Sequence, residues 1–242
     1  MPDALLPEQR VWPFTAPAVQ ALAEDGFDFT NPVTFLVGEN GSGKSTIVNA
    51  IAEAWGLDAR GGRAGRKYGN DRDKTTLGQS LRIDSTPSGA KLRNGPRTKR
   101  KGYFLRADTA LGFMGSVSGM HGYWEDDVTM MSHGEGFLTV FGAMFREPGL
   151  YVMDEPESAL SFTSCLQLVA VMHQLGQSGG QVVCATHSPI LAATPDADVI
   201  ELSEDGAVHT SWDKLALVAN WRRFMTMSDT YLRHLRDDDH GG

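Results

Sequence analysis

Nine consecutive residues restrict the fold more than any others: Gly38-Glu39-Asn40-Gly41-Ser42-Gly43-Lys44-Ser45-Thr46. An apolar, β-branched run, Val33-Thr34-Phe35-Leu36-Val37, leads into them, and a helical pattern follows. A strand, a GxxxxGK[ST] loop and a helix in that order form a unit that cradles the phosphates of a nucleotide. Gly38, Gly41 and Gly43 are expected at positive φ, where backbone N–H groups converge on the β-phosphate. Lys44 is expected to reach between the β- and γ-phosphates, and the Ser45 hydroxyl to ligate Mg²⁺. A helix opening at Ser45 aims its positive end at the anion.

The rest of the chain supplies what this loop needs. Ile47, Val48, Ile51 and Trp55 recur at helical spacing, with Ala50 and Ala54 between them, and Gly56 ends that helix. Leu150-Tyr151-Val152-Met153 is an apolar strand that ends in Asp154-Glu155-Pro156-Glu157. A strand end beside a phosphate loop is where a Mg²⁺-holding aspartate belongs, here Asp154. Glu155 is placed as general base for the attacking water. A helix is expected over 159–175, with Leu166, Val169 and Ala170 on its buried side. Gln181 to Ala185 reads as another buried strand, followed by Thr186-His187-Ser188-Pro189, so His187 ends a parallel strand beside Asp154 and can meet the γ-phosphate. Ser132, with Glu135 three residues on, matches a capping box ahead of Phe137, Leu138, Phe141 and Phe145.

Other elements are weaker. Short strands are expected at Val11–Phe14, Phe27–Phe29 and Leu77–Ile83, a helix from Pro17 to Glu24, and a turn at Pro87-Ser88-Gly89. Tyr103-Phe104-Leu105 reads as a strand, and a hairpin turns at Glu204-Asp205-Gly206. Residues 213–236 read as helical with a break near Ser228. Trp12 or Phe14 either stacks on an adenine or covers the sheet.

The charge is unevenly placed. From Arg60 to Arg106 there are 14 Lys and Arg against three acids, a net +11, which leaves −19 for the remainder of a chain whose total is −8. That segment reads either as a surface for a polyanion such as DNA or RNA, or as a solvated loop. Its densest run is Arg97-Thr98-Lys99-Arg100-Lys101. Residues 109–132 are rich in Gly and Met, which suits a segment that can repack. The two cysteines, Cys165 and Cys184, have no metal-ligand spacing, which fits a reducing, cytoplasmic setting. No basic n-region precedes an apolar core at the start, and no apolar run reaches the ~18 residues of a bilayer span, so membrane insertion is not expected.

Four separated pieces now stand in order: GENGSGKST, SHGE, YVMDEPESALS and ATHSP. In this combination the chain resembles the ABC-type ATPases, in their soluble, non-transporter branch with the SMC-like and RecF-like ATPases. It looks most like a compact form with no coiled-coil arm. The likeness extends to Tyr103-Phe104-Leu105-Arg106-Ala107 and to Tyr231-Leu232-Arg233-His234-Leu235. The resemblance implies an α/β P-loop fold, a mixed, largely parallel sheet flanked by helices. It implies one domain over residues 1–242, with a basic insertion at 57–106 and a helical signature subregion at 107–148.

By the same resemblance, Gly38 to Thr46 is the Walker A loop, Asp154 the Walker B aspartate and Glu155 the catalytic glutamate. Ser132, Gly134 and Glu135 stand in the signature motif, which contacts the γ-phosphate held by the other protomer. Ser158 to Ser161 lie where the chain crosses between protomers, and His187 matches the switch histidine. The implied cofactors are ATP and Mg²⁺, and the implied first partner is a second copy of the chain, with DNA or an effector protein downstream. Two departures stand out. The signature reads Ser-His-Gly-Glu, and Arg106-Ala107-Asp108 occupies the place of a Q-loop glutamine, with Gln79 too far upstream to serve. Alternative readings are the nucleotide-binding subunit of a membrane transporter and an ATP-sensing module with little turnover.

Overall fold

The structure is a computed structural model and describes residues 11–58, 61–63, 74–93, 101–106, 145 and 147–237. Its centre is a seven-stranded sheet. In chain order the strands are β1 (Val33–Gly38), β2 (Gly62–Arg63), β3 (Gly102–Arg106), β4 (Leu150–Asp154), β5 (Gln181–Thr186), β6 (Asp198–Ser203) and β7 (Gly206–Thr210). Across the sheet they run β2-β3-β4-β5-β1-β6-β7. The five from β3 to β6 are mutually parallel, and β2 and β7 close the edges antiparallel.

The parallel strands are apolar almost throughout because both faces are covered. Phe35, Val37, Tyr151, Met153, Val182 and Cys184 point to one face, Leu36, Phe104, Val152, Val183 and Ile200 to the other. Helices α1 (Pro17–Asp25) and α2 (Lys44–Trp55) cover the second face. The first is covered by a long helix, Phe162–Gln177.

That long helix is α5, because two short ones precede it: α3 (Thr76–Ser80) and α4 (Pro87–Arg93). Both replace the expected strand at Leu77–Ile83 and the expected turn at Pro87. The reason is capping. Thr75 Oγ1 accepts from Gly78 N at 3.1 Å, and Thr86 Oγ1 accepts from Gly89 N at 3.2 Å with Pro87 in the first turn. The buried carboxylate of Glu53 on α2 receives Thr75 N at 3.0 Å and Thr75 Oγ1 at 2.6 Å, which docks α3 onto the core.

Other expectations also shift. Val11 to Phe14 forms a turn, Phe14 N donating to Val11 O, in keeping with a Pro13 that has no ladder donor. Phe14 is 5% exposed and belongs to the core, which removes it as an adenine platform. No strand forms at Phe27–Phe29; both rings pack half-buried against the core. Helix α5 buries Cys165, Leu168, Met172 and Leu175 and packs Val169 half-buried against the core as expected, whereas Leu166 and Ala170 are exposed: the apolar stripe is offset from the expected one. The helix expected over 213–236 starts only at Ala216, after a 3₁₀ turn at Trp212–Lys214, while its expected break near Ser228 is present at Met227, between α6 (Ala216–Thr226) and α7 (Ser228–Asp237).

Helix α2 ends as the sequence implied. Gly56 has φ 96°, its N–H reaches Ala52 O and Glu53 O, and Leu57 N reaches Ala52 O at 2.9 Å. Among the described residues no helix is long and apolar enough to cross a membrane.

Candidate functional site

The site forms at the C-terminal edge of the parallel sheet, where β1 stands between β5 and β6. Strand order reverses there, because β1 is followed by strands on both of its sides, and such a point opens a crevice for a ligand. The phosphate loop leaves β1 at Gly38 and enters α2 at Lys44. Gly41 and Gly43 take φ of 84° and 97°, the left-handed region where only glycine is unstrained. Gly38 does not share that φ, contrary to expectation. It is glycine for space: a Cβ there would sit 2.3 Å from Leu202 O on β6. The first turn of α2 has N–H groups with no partner within the helix, facing the loop.

Lys44 is 3% exposed, and its Nζ donates to Gly38 O at 2.8 Å and Glu39 O at 2.9 Å. Burial lowers its pKa, and the charges of Glu155, Asp154 and Glu157 oppose that shift. The ammonium and the three carboxylates therefore share one electrostatic environment.

The acids come from β4. Asp154 is buried at the last position of that strand, and its Cα partner is Ala185 on β5. The next residue, Glu155, has φ 49° and ψ 51°, left-handed backbone in a non-glycine residue. Such a conformation costs on the order of 1–3 kcal/mol and persists only where its surroundings fix it. They do so here. Glu155 N donates to Ala185 O at 3.0 Å, and Pro156, which disfavours the right-handed helical region for its predecessor, opens a 3₁₀ turn over Pro156–Ala159. The kink turns Glu155 toward β5, where its Oε1 lies 3.2 Å from His187 Nε2. Asp154, Glu155 and His187 are thus brought together beside the phosphate loop.

Glu157 is a residue that sequence reasoning missed. Its Oε1 accepts from Thr186 Oγ1 at 2.7 Å and from His187 N at 2.6 Å. Its Oε2 is buried with no hydrogen-bond partner among the described residues. Burial raises its pKa, the Thr186 and main-chain hydrogen bonds pull it back, and the Glu155 charge adds to the rise. The signal was present as a third acid within Asp154-Glu155-Pro156-Glu157, but spacing alone does not reveal that its partner is the main chain of β5.

The donor set suits Mg²⁺ bound with a nucleotide. Among the described residues no cluster of three or more His, Cys, Asp or Glu side chains forms a self-sufficient metal cage. Mg²⁺ is commonly held by one or two protein oxygens plus phosphate oxygens and water, and Ser45 and Asp154 are such oxygens. Cys165 and Cys184 are free and buried, and burial pushes both thiols up.

Ser132, Gly134 and Glu135 lie outside the described residues, as do Arg97, Lys99 and Arg100. Of the basic segment's described side chains, several serve the chain itself. Arg93 donates to Ile83 O at 2.8 Å and Ala54 O at 3.3 Å, Arg106 Nη1 donates to Asn49 Oδ1 at 3.4 Å, and Lys101 pairs with Glu147. Arg106, where a Q-loop glutamine was sought, ends β3 in register with Asp154.

Several known proteins are similar to this chain. The family model described as an AAA domain matches residues 21–110. The hemin import ATP-binding protein HmuV of Burkholderia pseudomallei is 27% identical, over 73% of this chain and 75% of that protein. Protein scarlet of Drosophila melanogaster is 26% identical over 72% of this chain, which spans only 28% of that protein's length. The SMC head domain from Thermotoga maritima aligns with a TM-score of 0.43 at 16% identity, over 76% of this chain and 92% of that one. In its motif order and the register of its strand ends, the chain is similar to the ABC-type P-loop ATPases.

Proposed function

We propose that the chain hydrolyses ATP with Mg²⁺, as a head-to-tail dimer of the soluble, non-transporter branch. One observation carries this reading: a single sheet edge joins the phosphate loop with its buried Lys44 to the Asp154, Glu155 and His187 strand ends. Lys44 balances charge on the β- and γ-phosphates, and the N-terminal N–H groups of α2 hold them. Ser45 and Asp154 would hold Mg²⁺, which when bound would neutralise charge on the phosphate oxygens. Glu155 orients the attacking water and accepts its proton, and His187 stands beside it to contact the γ-phosphate. Ser132, Gly134 and Glu135 of a second copy complete the site from outside. Residues 57–106 and 107–148 act as insertion and signature subregion of one domain over 1–242. The cycle opens and closes a clamp that works on DNA or on a partner protein, of the kind used in DNA repair or phage defence, in the cytoplasm.

The decisive measurement is ATPase rate against protein concentration, with Mg²⁺, with and without DNA. A rate per chain that rises with concentration supports a site built from two copies. Turnover that is absent although ATP binds removes the hydrolase reading in favour of an ATP sensor. DNA affinity that shows no salt dependence and survives neutralising Arg97, Lys99, Arg100 and Lys101 removes DNA. The similarity to a hemin import ATP-binding protein favours a second reading, the motor subunit of a transporter, which co-purification with a polytopic membrane protein would support.

A further inference from the structure

A cleft of about 950 Å³ opens beside the phosphate loop, on the side of β1 away from the acids. Its walls run without interruption from Gly38–Ser42, past the end of β6 at Glu201–Glu204, to Trp221, Phe224 and Tyr231 on α6 and α7. The size suits a small-molecule ligand.

The aromatic wall is held in place. Helix α6 buries Val218 in the core, with Leu215 buried just ahead of its first turn, and its first N–H, of Ala216, donates to Glu201 Oε1 at 2.8 Å. Just before it, Trp212 Nε1 donates to Pro189 O at 2.8 Å. The stripe Leu217, Asn220, Trp221 and Phe224, at helical spacing, lines the cleft. Trp221 and Phe224 nevertheless stay 47% and 36% exposed, and Tyr231 meets Phe224 edge-on at 5.8 Å. Rings of this size held on a fixed helix face and left half open are matched to a flat apolar ligand.

The sheet order decides which ligand. The acids end β4 and His187 follows β5, both on one side of β1, whereas β6 lies on the other. A nucleoside triphosphate whose γ-phosphate points at Glu155 and His187 must extend its nucleoside away from them, across Gly38–Ser42 and toward β6. His187 lines the same cleft, so the path is continuous. We infer that the nucleobase of the bound nucleotide stacks in this cleft on the α6 aromatic face, with Trp221 and Phe224 as its platform. This inference rests on the phosphate-loop reading above and adds where the other end of the nucleotide goes. It places the base on the C-terminal helices and not on the N-terminal aromatics: Phe14 is buried, and Trp12, although exposed, does not line the cleft.

The test compares equilibrium binding of ATP and of inorganic tripolyphosphate, by calorimetry with Mg²⁺, in wild type and variants. Wild type is expected to bind ATP more tightly than tripolyphosphate. Base stacking on an aromatic ring sets the scale, so Trp221→Ala and Phe224→Ala are each expected to lower ATP affinity about tenfold and leave tripolyphosphate unchanged. Trp221→Phe keeps a ring and is expected to keep affinity. ATP, but not tripolyphosphate, should also quench tryptophan fluorescence, and Trp221→Phe should lose that quench, a readout that stands even where Trp221→Ala folds poorly. Unchanged ATP affinity in folded Trp221→Ala, or an equal loss of both ligands, overturns the inference. A wild type that binds neither ligand overturns the phosphate-loop reading and this inference with it. Tripolyphosphate binding that Lys44→Ala abolishes, together with ATP affinity indifferent to α6, overturns this inference alone.

Discussion

The two sides of the phosphate-facing edge are built from different materials. On the β1 side the working groups are main chain: two left-handed glycines, a third glycine pressed against Leu202 O, and the open end of α2. On the β4–β5 side they are side chains, Asp154, Glu155, Glu157 and His187, aimed by a strained peptide and by hydrogen bonds between strands. The first side is intolerant of added atoms. The second is intolerant of changed chemistry in groups of unchanged size.

The sharpest way to test that contrast is Glu155→Gln, which keeps shape and removes the base. Turnover is expected to fall ~10²–10⁴-fold while ATP still binds, and a single-turnover assay beside an equilibrium binding measurement checks both halves. Lys44→Ala removes the one side chain that the β1 side contributes as a charge. Charge-assisted hydrogen bonds of this kind are worth about 1.5–3 kcal/mol, so calorimetry should record a loss of roughly 10–150-fold in ATP affinity.

Gly38→Ala probes the main-chain side directly. Its Cβ would meet Leu202 O at 2.3 Å, and overpacking of this sort costs about 1–3 kcal/mol, to be read from a denaturant midpoint. Gly41→Ala, with nothing within 4 Å, pays only for its positive φ and should cost less.

The smallest expected effect is a pH slope. Burial raises the folded pKa of Glu157 above its ordinary value of 4.5. Protonation is therefore favoured by folding. That contribution is fully present below the ordinary value and is lost as pH rises through the raised one. Unfolding free energy measured from about pH 4 upward should carry this decline. Glu157→Gln, whose amide oxygen can still accept from Thr186 and His187, should flatten it. A variant with the wild-type slope would assign the decline to other groups.

What the sequence disclosed follows the same division. The loop from Gly38 to Thr46, the Asp154 strand end and His187 were legible because their chemistry is written as spacing. The role of Gly38 was misjudged because it depends on a neighbour, β6, some 160 residues away along the chain. Glu157 was missed for a like reason: it acts on main-chain atoms of another strand. The strands expected at Val11 and Leu77 failed because local chemistry, Pro13 in one case and the Thr75 cap in the other, outweighed a short apolar run. The offset of α5 shows how little a five- or six-residue apolar pattern fixes the rotation of a helix that rests on a twisted sheet.

The carboxylate of Glu157 grips the backbone of His187, while two positions earlier Glu155 leans on the same residue's ring. The two strand tips are therefore joined at two points of one residue, its main-chain N–H and its ring. With the roles proposed for them, a tug on the imidazole would reach the Glu155 carboxylate without passing through the interior, so that sensing of the phosphate and activation of the water would be mechanically one event.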